Sequence, residues 1–447
     1  MSKLCRIIFP LLFGAATAQA QIAVTGLNTP VNQDFNTLAA SGTANPASGL
    51  PAGWVMLEVD DNANTTYRAG DGASSTGDTY SFGTGTNAER AFGSLDTGSL
   101  QATIGASFVN NTGTTVTHLY LRYFGEMWRL GDPTRSDRLD FQYSLNATGL
   151  GNGSWVDVNA LDVTTVSTAG VAGARNGNLD ANRQLRFALI SGLSIAPGQT
   201  FFLRWAPFDA FGSDDGLAID DFELRAFDQV PAVVAVRPLA FIEGDTGSST
   251  ANVLVTLATP VSANVVFDAA AAGISADAGD FTPFAGVPGV IAAGSTSTNV
   301  AVNVLGDVTV EPAETLSLTI ANVSTAVPLV VANASATVLL INDDPRSLIS
   351  QIQGNGNTSP LNNTLVAFEG IVTGVGARSF FVQEEDAHAD SDPMTSEGVF
   401  VFSNAPPATD VVAGARARVV GTVTEFARSP NSEKLTVTEI VSPIATV

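Results

Sequence analysis

Only one cysteine, Cys5, occurs in 447 residues, and only two histidines, His118 and His388. A single thiol excludes an internal disulfide framework. Cations are scarce as well: 20 Lys and Arg stand against 43 Asp and Glu, a formal net charge of −23. That balance excludes a phosphate-tracking nucleic-acid clamp as the main surface and points to divalent cations as partners. No stretch reaches about 18 consecutive apolar residues, the length at which a bilayer-spanning helix begins. No Ser/His/Asp, Cys/His or HExxH arrangement is present. All four Trp and all five Tyr lie between residues 54 and 205, so the rest of the chain lacks both.

What is present reads as an all-β protein. Hydrophobic residues make up 45% of the chain, with 42 Gly, 21 Pro and 14% charged residues; this is too apolar for disorder and too rich in breakers for a mainly helical fold. Lys3 and Arg6 precede an apolar run over residues 7–16, and Ala18-Gln19-Ala20 gives a small-x-small cleavage pattern. Residues 1–20 are therefore expected to be a signal peptide cut after Ala20, which predicts an exported, extracellular chain of net charge −25 that retains no thiol. The loss of Trp and Tyr after residue 205, with Pro231 following a strand-like acidic segment, places a domain boundary near 231. Residues 21–231 carry 22 acids and 11 bases, residues 232–345 carry 10 and 1, and residues 346–447 carry 11 and 6. The expected organisation is a β-sandwich or jelly-roll-like domain at 21–231, a second domain at 232–345 and a third at 346–447.

In the first domain, β-type runs such as 116–123 and 200–205 alternate with turn clusters, and helical periodicity is nowhere sustained. Asp220 and Asp221, with Asp214 and Asp215, are either Ca2+ ligands or turn caps and arginine partners. Trp54, Trp128, Trp155 and Trp205 are either sugar-stacking platforms or core. The segments Asp34-Phe35-Asn36-Thr37-Leu38, Gly125-Glu126-Met127-Trp128-Arg129 and Gly216-Leu217-Ala218-Ile219-Asp220-Asp221-Phe222 resemble a domain found near the N-terminus of secreted bacterial multidomain proteins.

Residues 236–345 alternate as strands. Val253, Val255 and Leu257 share one face, as do Val300, Val302 and Val304, then Leu316, Leu318 and Ile320, and then Ala334, Ala336, Val338 and Leu340. The acids gather at strand ends, with Arg237 the only cation in the segment, and such carboxylates repel one another unless a cation neutralises them. Phe241-Ile242-Glu243-Gly244, Ala278-Gly279-Asp280-Phe281-Thr282-Pro283, Asp307-Val308-Thr309-Val310-Glu311-Pro312-Ala313-Glu314-Thr315 and Leu340-Ile341-Asn342-Asp343-Asp344 resemble a Calx-beta domain. The resemblance implies a seven-stranded immunoglobulin-like sandwich that binds Ca2+ through loop acids at one end. The ligands it implies are Glu243, Asp280, Asp307, Glu311, Glu314, Asp343 and Asp344, completed by backbone carbonyls, Asn342 and water. The sequence departs from that pattern at Gly306, Asn342 and Phe281, where an acid, an acid and a Tyr are usual.

Five β-type runs in residues 347–447 suggest a small barrel. Glu369-Gly370-Ile371-Val372-Thr373-Gly374, Phe380-Phe381-Val382-Gln383-Glu384-Glu385-Asp386 and Thr395-Ser396-Glu397-Gly398-Val399-Phe400-Val401-Phe402 resemble the OB-like module that precedes the catalytic domain in bacterial extracellular nucleases of the endonuclease/exonuclease/phosphatase family. Barrels of that kind bind single strands by stacking bases on aromatics in a basic groove. Phe380, Phe381, Phe400 and Phe402 offer faces, and Arg378, Arg416, Arg418 and Arg428 offer phosphate contacts; the alternative is that the alternate Phe are core. Asp386, Asp390 and Asp392 form either a metal loop or a solvated one. The catalytic domain of such a nuclease, with its His, Asp, Asn and Glu around Mg2+, is expected to be absent. Gln33-Asp34-Phe35-Asn36 is only faintly like that family's Gly-Asp-Phe-Asn box. Two readings follow: a non-catalytic accessory unit of an extracellular nuclease-like protein that contacts nucleic acid or an extracellular polymer, or a calcium-dependent adhesion or matrix protein.

Overall fold

Period-two alternation of β-branched and small apolar residues runs through most of this chain, and the computed structural model is correspondingly all-β. Among the described residues one short α-helix, Ile349–Gln353, interrupts the strands, with three 3-10 turns. The structure describes residues 20–85, 87–208, 212–309, 311–344, 346–390, 392–427 and 436–446. The expected leader with Lys3, Cys5 and Arg6, and also Arg428, lie outside them. The chain divides into two compact units, Met1–Pro231 and Ala232–Val447.

The first unit is a sandwich of a seven-stranded and a nine-stranded sheet. The longest strands, His118–Leu130 and Gly216–Phe227, lie side by side in the larger sheet; Gln101–Asn110 and Thr200–Phe208 do so in the smaller. Aromatic rings fill the space between: Trp205 Nε1 donates to the Tyr123 hydroxyl at 2.9 Å, and Trp54 stacks on Trp205 at 5.9 Å. Trp54, Trp128 and Trp205 are buried, which overturns their reading as sugar platforms. Trp155 is half-buried beneath the Arg204 guanidinium, 3.9 Å from its ring. Phe35, from the segment likened to a nuclease box, is also core, edge-on to Trp54 at 4.6 Å.

The second unit begins with an immunoglobulin-like sandwich. One sheet orders Ser297–Gly306, Gly247–Leu257, Ala232–Val236 and Leu329–Asn333; the other orders Leu239–Ile242, Ser335–Ile341, Glu314–Ser324, Val265–Gly273 and Phe284–Ile291. Val253, Val255, Val302, Val304, Leu316, Leu318, Val338 and Leu340 form its interior as their alternation requires. Ala334 does not join them: it is exposed where one strand ends and the next begins. Five further strands then close a barrel, in the order Leu365–Val375, Ser379–Gln383, Gly398–Phe402, Val437–Thr446, Arg416–Phe426. The barrel meets the sandwich along an apolar seam of Ile242, Ile341, Ala367 and Val420.

Candidate metal centre

Strands Leu239–Ile242 and Ser335–Ile341 are parallel and in register, Ile242 beside Ile341, so the residues that follow each of them emerge together. The Glu243 N–H donates to the Ile341 carbonyl at 3.2 Å, and the Gly244 N–H donates to Asp343 Oδ1 at 3.1 Å. From the other side, Glu314 opposes Leu340 in the antiparallel ladder, which brings Glu311 and Glu314 to the same end. The Leu305 N–H donates to the Asp280 carbonyl at 2.7 Å and fixes that loop beside Asp307.

Two acidic trios result, and they share one residue. Glu243, Asp280 and Glu311 place one carboxylate oxygen each within 4.8 Å of one another, and so do Glu243, Asp343 and Asp344. Glu243, Asp280 and Asp343 are buried. Burial first, then the charges of Glu311, Asp307, Asp343 and Asp280, push the Glu243 carboxyl up to about 7. Glu314 also rises to about 7, chiefly because it shares a hydrogen bond with Asp280. Burial and Asp280 raise Glu311; burial and Asp245 raise Asp344. Asp307 accepts the Thr309 N–H at 2.6 Å and faces Glu243.

The donor set is all oxygen, and buried Glu243 Oε1, Asp344 Oδ2 and Asp245 Oδ1 accept no hydrogen bond. A buried carboxylate oxygen without a donor is costly, and a hard cation of the Ca2+ type fits it. The three departures noted in the sequence have structural reasons. A Cβ on Gly306 would meet the Gly244 carbonyl at 2.3 Å, so an acid has no room there. Asn342 is engaged at both ends, donating to the Thr309 carbonyl and accepting the Asp344 N–H, each at 2.7 Å, which makes it a latch for the loop. Phe281 is core.

Arg237 is not the cation that matters here; it follows strand Ala232–Val236, and its Nε donates to the Thr256 hydroxyl at 3.1 Å. The cluster instead receives Arg418 and Arg346. Arg418 reaches Asp343 Oδ2 and Asp245 Oδ2 at 3.0 Å each, and Arg346 reaches Asp245 Oδ2 at 3.0 Å. Arg416 pairs with Glu369 and, at 3.2 Å, with Glu385. Two of the four arginines read as phosphate contacts, Arg416 and Arg418, are thus committed to carboxylates. Phe380 is core, whereas Phe381 is exposed beside Phe400, ring centroids 5.0 Å apart. In the acidic loop, Asp390 accepts the Asp392 N–H and Asp392 accepts the Met394 N–H, so these side chains cap turns.

In the first unit the four aspartates part company. Asp214 pairs with Arg135 at 3.0 Å, and Asp215 accepts the Gly131 N–H at 2.6 Å and the Thr165 hydroxyl at 2.5 Å. Asp220 instead joins Glu126 and Glu89 in a third trio, drawn from three segments far apart along the chain. Burial, then Glu126, push Asp220 up to about 10, and burial pushes Glu126 up to about 7 while the Trp128 indole donates to it at 2.8 Å.

No family model matches the chain, and no curated protein does. Among solved structures, the apo form of the Calx CBD1 domain is similar at 21% identity, covering 26% of this chain and all of that one, with a TM-score of 0.23. The CBD12 pair from CALX1.2 is similar at 18% identity, over 45% of this chain and 83% of its own, TM-score 0.22. A CBM22 tandem from Paenibacillus barcinonensis Xyn10C is similar at 8% identity, over 63% and 88%, TM-score 0.19.

Proposed function

We propose that the chain is an exported calcium-binding protein whose β modules work by binding, with Glu243, Asp280, Asp307, Glu311, Glu314, Asp343 and Asp344 as its cation site. The observation that carries this reading is Glu243, a buried carboxylate common to two acidic trios with one oxygen lacking any hydrogen-bond donor. Ca2+ accepts six to eight oxygens in irregular geometry, which suits ligands drawn from four separate loops. Glu243 would bridge the two trios, Asp280 and Glu311 would close one side and Asp343 and Asp344 the other, with Asp307 and Glu314 adding negative charge. The bound ion would supply the positive charge that Glu243, Asp280 and Glu311 lack and that Arg418 brings only to Asp343.

The barrel is the second binding element, OB-like in the resemblance its segments carry. Phe381 and Phe400 lie in a groove with Gln353, Gln383 and Thr438, none of them charged. That chemistry supports an extracellular polymer of low charge. Single-stranded nucleic acid is the less supported partner, because Arg416 and Arg418 are already paired. The accessory unit of a nuclease-like protein and the calcium-dependent adhesion or matrix protein both remain compatible with such a groove.

The test is a thermal melt followed by far-UV circular dichroism in millimolar Ca2+, in Mg2+ and in chelator. At 100 times its dissociation constant a ligand adds about 2.7 kcal/mol. A raised transition in Ca2+ that is lost in the Asp343→Asn, Asp344→Asn double variant supports the site; no shift with Ca2+ removes it.

A further inference from the structure

Asp343 is more deeply buried than Glu243 and Asp280, and its side chain has no exposure; one oxygen accepts a backbone hydrogen bond, while the other accepts none and meets only an arginine's charge. Oδ1 accepts the Gly244 N–H, and Oδ2 lies 3.0 Å from Arg418 Nε. Arg418 belongs to the barrel, on strand Arg416–Phe426, where it stands opposite Glu369 in the ladder. Its Nη2 lies 3.0 Å from both Asp245 Oδ2 and Glu369 Oε2, and Arg346 bonds the same two carboxylates. The guanidinium packs so closely on Gly244 that a Cβ there would meet its Nη1 at 2.8 Å. The barrel therefore reaches across the apolar seam and sets one positive charge on the rim of the sandwich's acidic cluster.

Resting on the calcium reading above, we infer that Arg418 is a built-in counter-cation that competes with Ca2+ for Asp343, so that metal occupancy and the sandwich–barrel junction are thermodynamically linked. Without metal, Arg418 neutralises part of the cluster and ties the barrel down. A divalent ion among Glu243, Asp343 and Asp344 repels the guanidinium and draws Asp343 toward itself. By reciprocity, whatever Ca2+ takes from the junction, the junction takes from Ca2+ affinity. The strength of such coupling between sites is commonly about 5- to 150-fold in affinity.

The test uses the full chain and Ca2+ alone as the probe, with calorimetric titration and hydrogen exchange. Arg418→Gln is expected to bind Ca2+ about tenfold more tightly than the parent, to melt lower in chelator, and to approach the parent in saturating Ca2+. Arg418→Lys keeps the charge and is expected to stay near the parent in affinity, although it loses the planar fork. In the parent, Ca2+ is expected to protect the amides around Glu243 and Asp343 while speeding exchange along Val437–Thr446, the barrel strand whose Ile444 packs against the seam. A folded Arg418→Gln variant that binds Ca2+ equally or more weakly overturns the inference and leaves the metal site standing. Should that variant fail to fold, unchanged exchange along the seam in the parent overturns it instead. Absence of Ca2+ binding by the parent overturns the metal site itself, and the coupling with it.

Discussion

Asp220 illustrates how far one residue's environment departs from its type. Burial and the neighbouring Glu126 hold its carboxyl near 10, so at neutral pH it is a protonated acid that shares a hydrogen bond with Glu89. A carboxyl raised in the folded state from its ordinary value of 3.8 contributes most below that value, and the contribution is lost as pH rises toward 10. Asp220→Asn mimics the neutral form and keeps the Oδ1 that accepts the Asp221 N–H at 2.7 Å. The variant is expected to match the parent within about 1 kcal/mol at pH 5 and to melt higher at pH 9, read by tryptophan fluorescence, since every Trp lies in this unit. A lower melt than the parent at pH 9 counts against a protonated Asp220. Glu243 supplies a second pH dependence in the other unit. Its carboxyl moves from 4.5 to about 7, so without metal its contribution is full below 4.5 and disappears through 7. Ca2+ requires the ionised form, and its stabilising effect is expected to be small at pH 5.5 and large at pH 8, measured as the calcium-induced shift of the circular dichroism melt.

At the scale of the element, the site depends on strand ends being held in register by glycine. Gly306 closes strand Ser297–Gly306 directly against the Gly244 carbonyl, and that carbonyl belongs to the turn carrying Glu243. Gly306→Ala has to move the turn; a cost of about 1–3 kcal/mol is expected, together with weaker Ca2+ binding, from chemical denaturation and titration of the same preparation. Wild-type stability in Gly306→Ala shows that the turn yields freely and is not what fixes Glu243. The alternation that predicted this sandwich was legible because Val253, Val255 and Leu257, or Leu316, Leu318 and Ile320, each fill one face of one strand. Barrel runs were legible for the same reason, with Phe380 and Val382 inside and Phe381 outside. What the alternation does not carry is pairing between distant strands: nothing local tells Asp220 that it will meet Glu126 and Glu89. Nor does a segment with one arginine reveal that Arg418, 75 positions beyond Asp343, answers its charge. Ala334 shows the limit within a single run, since a period of two continues through a strand break without a mark.

Across the whole molecule the excess of acid over base is a property of placement as much as of number. Residues 21–231 carry 22 acids and 11 bases, and there many of the arginines are spent in local pairs such as Arg68 with Asp78 and Arg225 with Glu223. Residues 232–345 carry ten acids and one base, and their counter-charge comes from Arg346 and Arg418 outside the segment. Self-repulsion in the second unit is therefore concentrated in one acidic end, where salt screens it over a Debye length of about 10 Å at 0.1 M. In chelator, raising NaCl from about 0.02 to 0.2 M is expected to raise the circular dichroism transition of this unit. In saturating Ca2+ the same salt step is expected to have little effect, because the bound ion already supplies the charge. The tryptophan signal, which reports only the first unit, is the control for a general salt effect. An equal rise with and without Ca2+ means that the repulsion is spread over the surface, and that the acidic end is not where this protein's charge is balanced.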